Sequence, residues 1–133
     1  MKAVKGEEIV LVTTNRIGVL FDVSAALAGA GINIRALNAY SAAVSAQVRV
    51  VTSDTARTKD VLRSLGEVMS REAVIVEVAD QIGQLKILTE RLKGAGIDIT
   101  HIYGTASQPQ VSAIIVFSSN DNDKALSILL SEA

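Results

Sequence analysis

Side chains able to make or break covalent bonds are few in this sequence. His101 is its one imidazole, a group that can move a proton near neutral pH or ligate a metal. It falls in a strand-like run, Ile97 to Gly104, with no nucleophile or acid partner within sequence reach. A half-exposed strand position is the plainer reading. Arg16 stands beside a short glycine-bearing loop, where a guanidinium could hold a phosphate. An acylphosphatase would need a longer loop and a matching Asn on the third strand, and neither is there. The absence of Cys removes thiol nucleophiles, thiolate metal sites, iron–sulfur clusters and disulfides. Lys86, Glu90, Arg91 and Lys93 follow helical spacing and read as a solvated face. No enzymatic activity, cofactor or metal is expected.

What remains is binding chemistry. Asn15-Arg16-Ile17-Gly18-Val19-Leu20 and Asp80-Gln81-Ile82-Gly83-Gln84-Leu85 each set a Gly between a strand-like run and a helix-like one. A Gly there lets a ligand reach the backbone with no Cβ in the way. The helix start adds unpaired N–H groups and a partial positive charge, which suit a carboxylate.

The two loops belong to a duplicated unit. A shift of 65 residues lays Ile17 on Ile82 and carries Leu27-x-Gly29-Ala30-Gly31-Ile32-x-Ile34 onto Leu92-x-Gly94-Ala95-Gly96-Ile97-x-Ile99. From Ile17 to Ile34 half of the positions are identical. The match resumes two residues out of step, Val44-Ser45-Ala46 on Val111-Ser112-Ala113, so a longer hairpin is expected around Gln108-Pro109. Each unit reads as β-α-β-β-α, with a short fourth strand near Val68 in the first. Helix cores are expected on Leu20, Val23 and Leu27, then on Leu85, Leu88 and Leu92. Val44, Ala46, Val48 and Val50 alternate with polar residues as a strand. Asp54 and Asp121 are placed to cap helices, and Gly29 with Gly31 ends the first. The order predicts an α+β fold of two tandem ferredoxin-like βαββαβ modules, antiparallel sheets with helices on one face. The modules are expected at 1–71 and 72–133, the second lacking a last strand of its own. Either N-terminal residues or a neighbouring chain covers that edge, or it stays open.

Composition narrows the partners. Net charge is −1 with scattered basic residues, so no basic face for nucleic acid is expected. The central strands, Ile9 to Val12 and Ala43 to Val51, also lack the aromatics on which RNA-binding relatives of this fold stack bases, and Phe117 alone forms no platform. No segment approaches the ~20 apolar residues of a membrane span, and no export signal is legible at the N-terminus; a cytoplasmic protein is expected. Hydrophobic residues reach 49% and mean hydropathy is +0.36. The first helix is apolar almost all round, and Ile114 and Val116 sit on the sheet face that should be solvated. Both point to a homodimer, with ordinary packing between the units the alternative for the helix.

The Asn15–Leu20 stretch followed by Ala30-Gly31-Ile32-Asn33-Ile34 resembles the ACT domain, a regulatory amino-acid-binding module. The second copy, Asp80–Leu85 followed by Ala95-Gly96-Ile97-Asp98-Ile99, resembles it too. Together they make the chain similar to small stand-alone tandem ACT proteins. Many members have Pro before the loop Gly, whereas Ile17 and Ile82 stand here. The resemblance implies a ligand lying between the loop of one module and the second-strand start of its partner. It therefore implies a site at Asn15 to Leu20 with Asn33 and Ile34, and at Asp80 to Leu85 with Asp98 and Ile99. In serine-sensing members asparagines occupy both places, as Asn15 and Asn33 do here. An Asn amide can donate to a carboxylate and accept from an ammonium group, but an ionised Asp only accepts. The resemblance thus implies allosteric regulation of a separate metabolic enzyme by an amino acid. A scaffold that has lost its ligand is the alternative.

Overall fold

The computed structural model describes residues 1–108 and 112–131; Pro109 of the expected longer hairpin and Val111, the expected start of the strand after it, lie outside them. The elements run β1 (Lys2–Thr14), α1 (Val19–Gly29), β2 (Ile34–Ala42), β3 (Ser45–Thr52), α2 (Thr55–Leu62) with a 3-10 turn at Arg63–Leu65, β4 (Glu67–Val78), α3 (Gln84–Gly94), β5 (Ile99–Gln108), β6 (Ser112–Ser119) and α4 (Asn122–Leu130). They divide into two compact units. The first is Glu7–Arg71; the second joins Met1–Gly6 to Glu72–Ala133.

In the first unit the strand order is β2-β3-β1-β4. β3 runs antiparallel to both neighbours, with Val50 opposite Ile9 of β1 and Leu37 of β2. The period-two pattern of a strand sends Ala46, Val48, Val50, Ile9 and Leu11 to one side. There they form a core with Val19, Val23 and Leu27 of α1 and Leu62 of α2. α1 closes in a Schellman turn: Gly31 adopts φ 71°, its N–H reaches Ala28 O at 3.0 Å, and Ile32 N–H reaches Leu27 O at 3.0 Å. Asp54 caps α2, its Oδ1 accepting from Arg57 N–H at 3.1 Å.

The second unit repeats this with strand order β5-β6-β4-β1. Phe117 of β6 lies opposite Val74 of β4 and Ile102 of β5. It packs with Val76, Leu88, Leu92 and Leu129, and Asp121 caps α4 through Lys124 N–H at 3.0 Å. Its fourth strand is Lys2–Gly6, the beginning of β1. Ala3 enters the same core as Phe117 at 6% exposure. Lys5 Nζ lies 2.7 Å from Asp123 Oδ1 and 3.7 Å from Glu72 Oε2. Hydrogen bonding to Asp123 and the field of both carboxylates raise the Lys5 pKa.

Both units therefore show the α+β, ferredoxin-like arrangement. Three details differ from the sequence reading. Met1–Gly6 goes with Glu72–Ala133, to which it supplies a fourth strand. The short strand near Val68 and the strand that opens the second unit are a single strand, β4. Leu20 and Leu85 are exposed; α1 buries Val19, Val23 and Leu27, and α3 buries Leu88 and Leu92. Val116 is already buried within one chain, so no second chain is needed to cover it.

Candidate functional site

β1 ends at Thr14, opposite Ser45 at the β2–β3 hairpin. The next residue fastens the loop to that hairpin: Asn15 N–H donates to Val44 O at 2.8 Å. Arg16 turns back to Asp22 on the first turn of α1, with guanidinium and carboxylate 2.6 Å apart. That carboxylate also sits well near the positive end of the helix. Ile17 is fully exposed, at 102%. Gly18 then takes φ 93°, a left-handed conformation that only glycine adopts freely. No atom lies within 4 Å of where its Cβ would be. As N-cap, Gly18 brings no side chain to the helix start, and the first intrahelical bond is Asp22 N–H to Gly18 O at 2.9 Å. The amides of Val19 and Leu20 thus begin α1 without a capping oxygen, beside an unobstructed backbone.

The second loop has the same skeleton. Gly83 adopts φ 90° with open space around it, and Ile87 N–H donates to Gly83 O at 3.0 Å. Gln81 N–H bonds Ala79 O at 2.9 Å, and Ile82 is as exposed as Ile17, at 105%. Gln81 and Ile87 occupy the positions of Arg16 and Asp22, so no ion pair can form. Asp80 is half-buried, and Gln84 and Leu85 open α3.

The second-strand starts are equally alike. Asn33 exchanges bonds with Ser53: its N–H donates to Ser53 Oγ at 3.1 Å and its O accepts from Ser53 N–H at 3.0 Å. Asp98 does so with Asn120, donating to Oδ1 at 2.9 Å and accepting at 3.0 Å. In both cases the backbone is satisfied and the exposed side chain is left outward. Ile34 and Ile99 behind them pack on the two cores.

Within a unit these two groups do not meet. Thr14 faces Ser45 at one end of β3, and Ile34 faces Thr52 at the other. The eleven residues of α1 span about 16 Å between them at 1.5 Å per residue. Asn15 and Asn33 therefore lie at opposite ends of the first unit, as do the Asp80 loop and Asp98 in the second. His101 is elsewhere again, half-buried on β5 with its ring 5.5 Å from that of Tyr103 in an edge-on stack. The Arg16–Asp22 pair and the Ser53 and Asn120 clamps were not singled out from the sequence. Asp22 lies in the first helical turn, where an acid is favoured, and that was the available signal.

Residues 8–68 match the ACT domain. The match spans nearly all of the first unit and ends before the second. No curated protein matches the chain in sequence. Among solved structures, protein BT0572 from Bacteroides thetaiotaomicron aligns over 96% of this chain and 88% of its own, with TM-score 0.86 and 23% identity. The regulatory subunit of aspartate kinase from Thermus thermophilus aligns over 96% and 94%, with TM-score 0.69 and 14% identity. Its counterpart from Thermus flavus covers 98% and 95%, with TM-score 0.60 and 16% identity. At such identities the likeness establishes the fold alone, a ferredoxin-like α+β fold over nearly all of the chain. Among the described residues no helix is long and apolar enough to cross a membrane.

Proposed function

We propose that this chain is a regulatory, non-catalytic protein with tandem ACT modules that binds a small amino acid. The site we favour is the Asn15–Leu20 loop of the first unit, completed by Asn33 and Ile34 of a first unit from a second chain. The observation that carries it is the left-handed, unobstructed Gly18 leading into a helix start without a capping side chain. Such a start presents N–H groups to a carboxylate, and Asn15 and Asn33 supply amides for both ends of a zwitterion. Because those asparagines lie at opposite ends of one unit, a site using both takes them from two copies. In the second unit Asp80 and Asp98 would repel a carboxylate at short range, so the loop at Asp80–Leu85 with Ile99 suits an ammonium group better. The aspartate kinase regulatory subunits of the same fold support a regulatory role; the enzyme regulated here would be a separate protein.

The test is a melting-temperature titration of the purified protein with each of the twenty amino acids. A ligand at 100 times its Kd stabilises by about 2.7 kcal/mol. The shift should disappear in a Gly18→Ala variant that still melts cooperatively, and persist in Gly83→Ala. No shift with any amino acid sinks this reading. It would leave the other one, a scaffold that docks a partner, which the full exposure of Ile17 and Ile82 at both loop tips favours. Weakened capture of one stable partner by an Ile17→Asp, Ile82→Asp variant would support that alternative.

A further inference from the structure

The two halves of β1 are held very differently. Glu8, Ile9, Val10 and Leu11 are all essentially inaccessible, whereas of Lys2 to Gly6 only Ala3 is fully buried and Val4 is exposed. Burial free energy scales with apolar area removed from water, and an alanine contributes little. The Lys5 contacts to Asp123 and Glu72 lie at the surface, where ion pairs are weak and salt-screened. Residues 1–6 should therefore open long before the rest of the strand, in the manner of a local unfolding unit. Opening exposes the edge of β4 from Glu72 to Val78, where Ala73, Val74, Ile75 and Val76 form a buried run. An unpaired edge of this kind is a template for another strand.

We propose that residues 1–6 form a detachable closing strand, and that the β4 edge they leave is a docking site for the same segment of a second copy. The slot selects its occupant. Position 3 must be small, since Ala3 shares a core with Phe117, Val74 and Leu129. Position 5 favours a cation, to sit between Asp123 and Glu72. Position 6 favours Gly, because a Cβ there would fall 2.6 Å from Ile75 Cδ1 and force that side chain to shift. Few unrelated extended segments carry a small residue, a cation and a glycine in that register, whereas another copy of this chain carries all three. The exchange joins two copies through a strand and needs no new surface.

Two measurements on the full chain test it. In hydrogen exchange at neutral pH, the amides of 2–6 and 73–77 should exchange about tenfold or more faster than those of 9–11 and 48–50. Lys5→Glu should widen that gap while leaving 9–11 unchanged. A fluorescent peptide of residues 1–7 should then bind the Lys5→Glu protein saturably, and the same peptide carrying Gly6→Val should bind more weakly. Equal exchange in both halves of β1 overturns the proposal, as does a peptide that fails to bind or binds equally well with Gly6→Val. Should Lys5→Glu fold poorly, the exchange profile of the unmodified chain and binding of excess peptide to it decide the matter. Neither readout depends on an amino-acid ligand, so failure here is separate from failure of the proposed function.

Discussion

Gly18 and Gly29 lie at the two ends of α1, and changing each to Ala should move stability in opposite directions. Both have open space where a Cβ would go, so neither change creates a clash and backbone conformation alone decides. At Gly18, φ is 93°; holding an Ala in the left-handed region costs about 1–2 kcal/mol. Reduced unfolded-state entropy returns about 0.4–1 kcal/mol at a compatible site and less at a strained one. Gly18→Ala should thus destabilise by about 1 kcal/mol. Gly29 is helical, and Ala there should stabilise by roughly 0.5–1 kcal/mol. For a chain of this size 1 kcal/mol moves Tm by about 3–6 °C. Urea unfolding followed by circular dichroism, with an unchanged m-value, gives the free energies directly. Gly83→Ala and Gly94→Ala repeat the contrast on α3, with Gly83 at φ 90°. Two changes of the same sign at the ends of α1, or a neutral Gly18→Ala, would refute the assignment of a strained, glycine-dependent loop.

Other outcomes can be stated more briefly. Glu8 is 0% exposed and its Oε1 accepts from Arg49 Nη1 at 3.1 Å, so Arg49→Ala should cost about 3 kcal/mol by leaving a buried carboxylate short of its cation. Arg16→Ala, breaking a largely exposed pair, should cost under about 1 kcal/mol; chemical denaturation of both variants tests the contrast. Asp54→Ala and Asp121→Ala should each cost about 1 kcal/mol through the lost cap, seen as lower urea midpoints. Phe117→Ala should cost about 3–5 kcal/mol in the same assay. The raised Lys5 pKa gives stability that is fully present below its ordinary value near 10.5 and is lost as pH rises through the folded value. The advantage of the unmodified chain over Lys5→Gln should accordingly hold from neutral pH to about pH 10 and shrink above it in a melting series.

The parts of this fold that were legible in sequence are those governed by period and caps. Ala46, Val48 and Val50 point inward as their alternation requires, and Asp54, Asp121 and Gly31 end or begin helices where their chemistry places them. Val44 belongs by pattern to that strand, yet it stands exposed in the hairpin turn, since a turn residue can share the parity of the strand it leads into. Leu20 failed for a related reason. Residues 19, 20, 23 and 27 are all apolar, so two helical phases fit, and the left-handed turn at Gly18 selects the one that buries Val19. Ser70-Arg71-Glu72 is polar, so the pattern splits β4 into two strands. Periodicity reports which face is wet and not whether two strands are one. The polar Lys2-Ala3-Val4-Lys5-Gly6 carries almost no strand signal; its place depends on a partner about 70 residues away, and local pattern cannot contain that. At the candidate site the glycines were visible by type and the Arg16–Asp22 tie was not, because it joins a loop to a helix whose phase was misassigned.

The division of the second unit between the start of the chain and its last half has a consequence for synthesis. At about 5–20 residues per second, the ribosome releases residues 1–6 roughly 6–25 s before Leu129. The first unit has by then had all of its residues for several seconds and needs nothing further. The six residues wait, with their eventual neighbours still untranslated, and the second core closes only by reaching back across the whole of the first unit's sequence. Translation speed and the crowding of nascent chains on one message should therefore bear on the second unit and leave the first untouched.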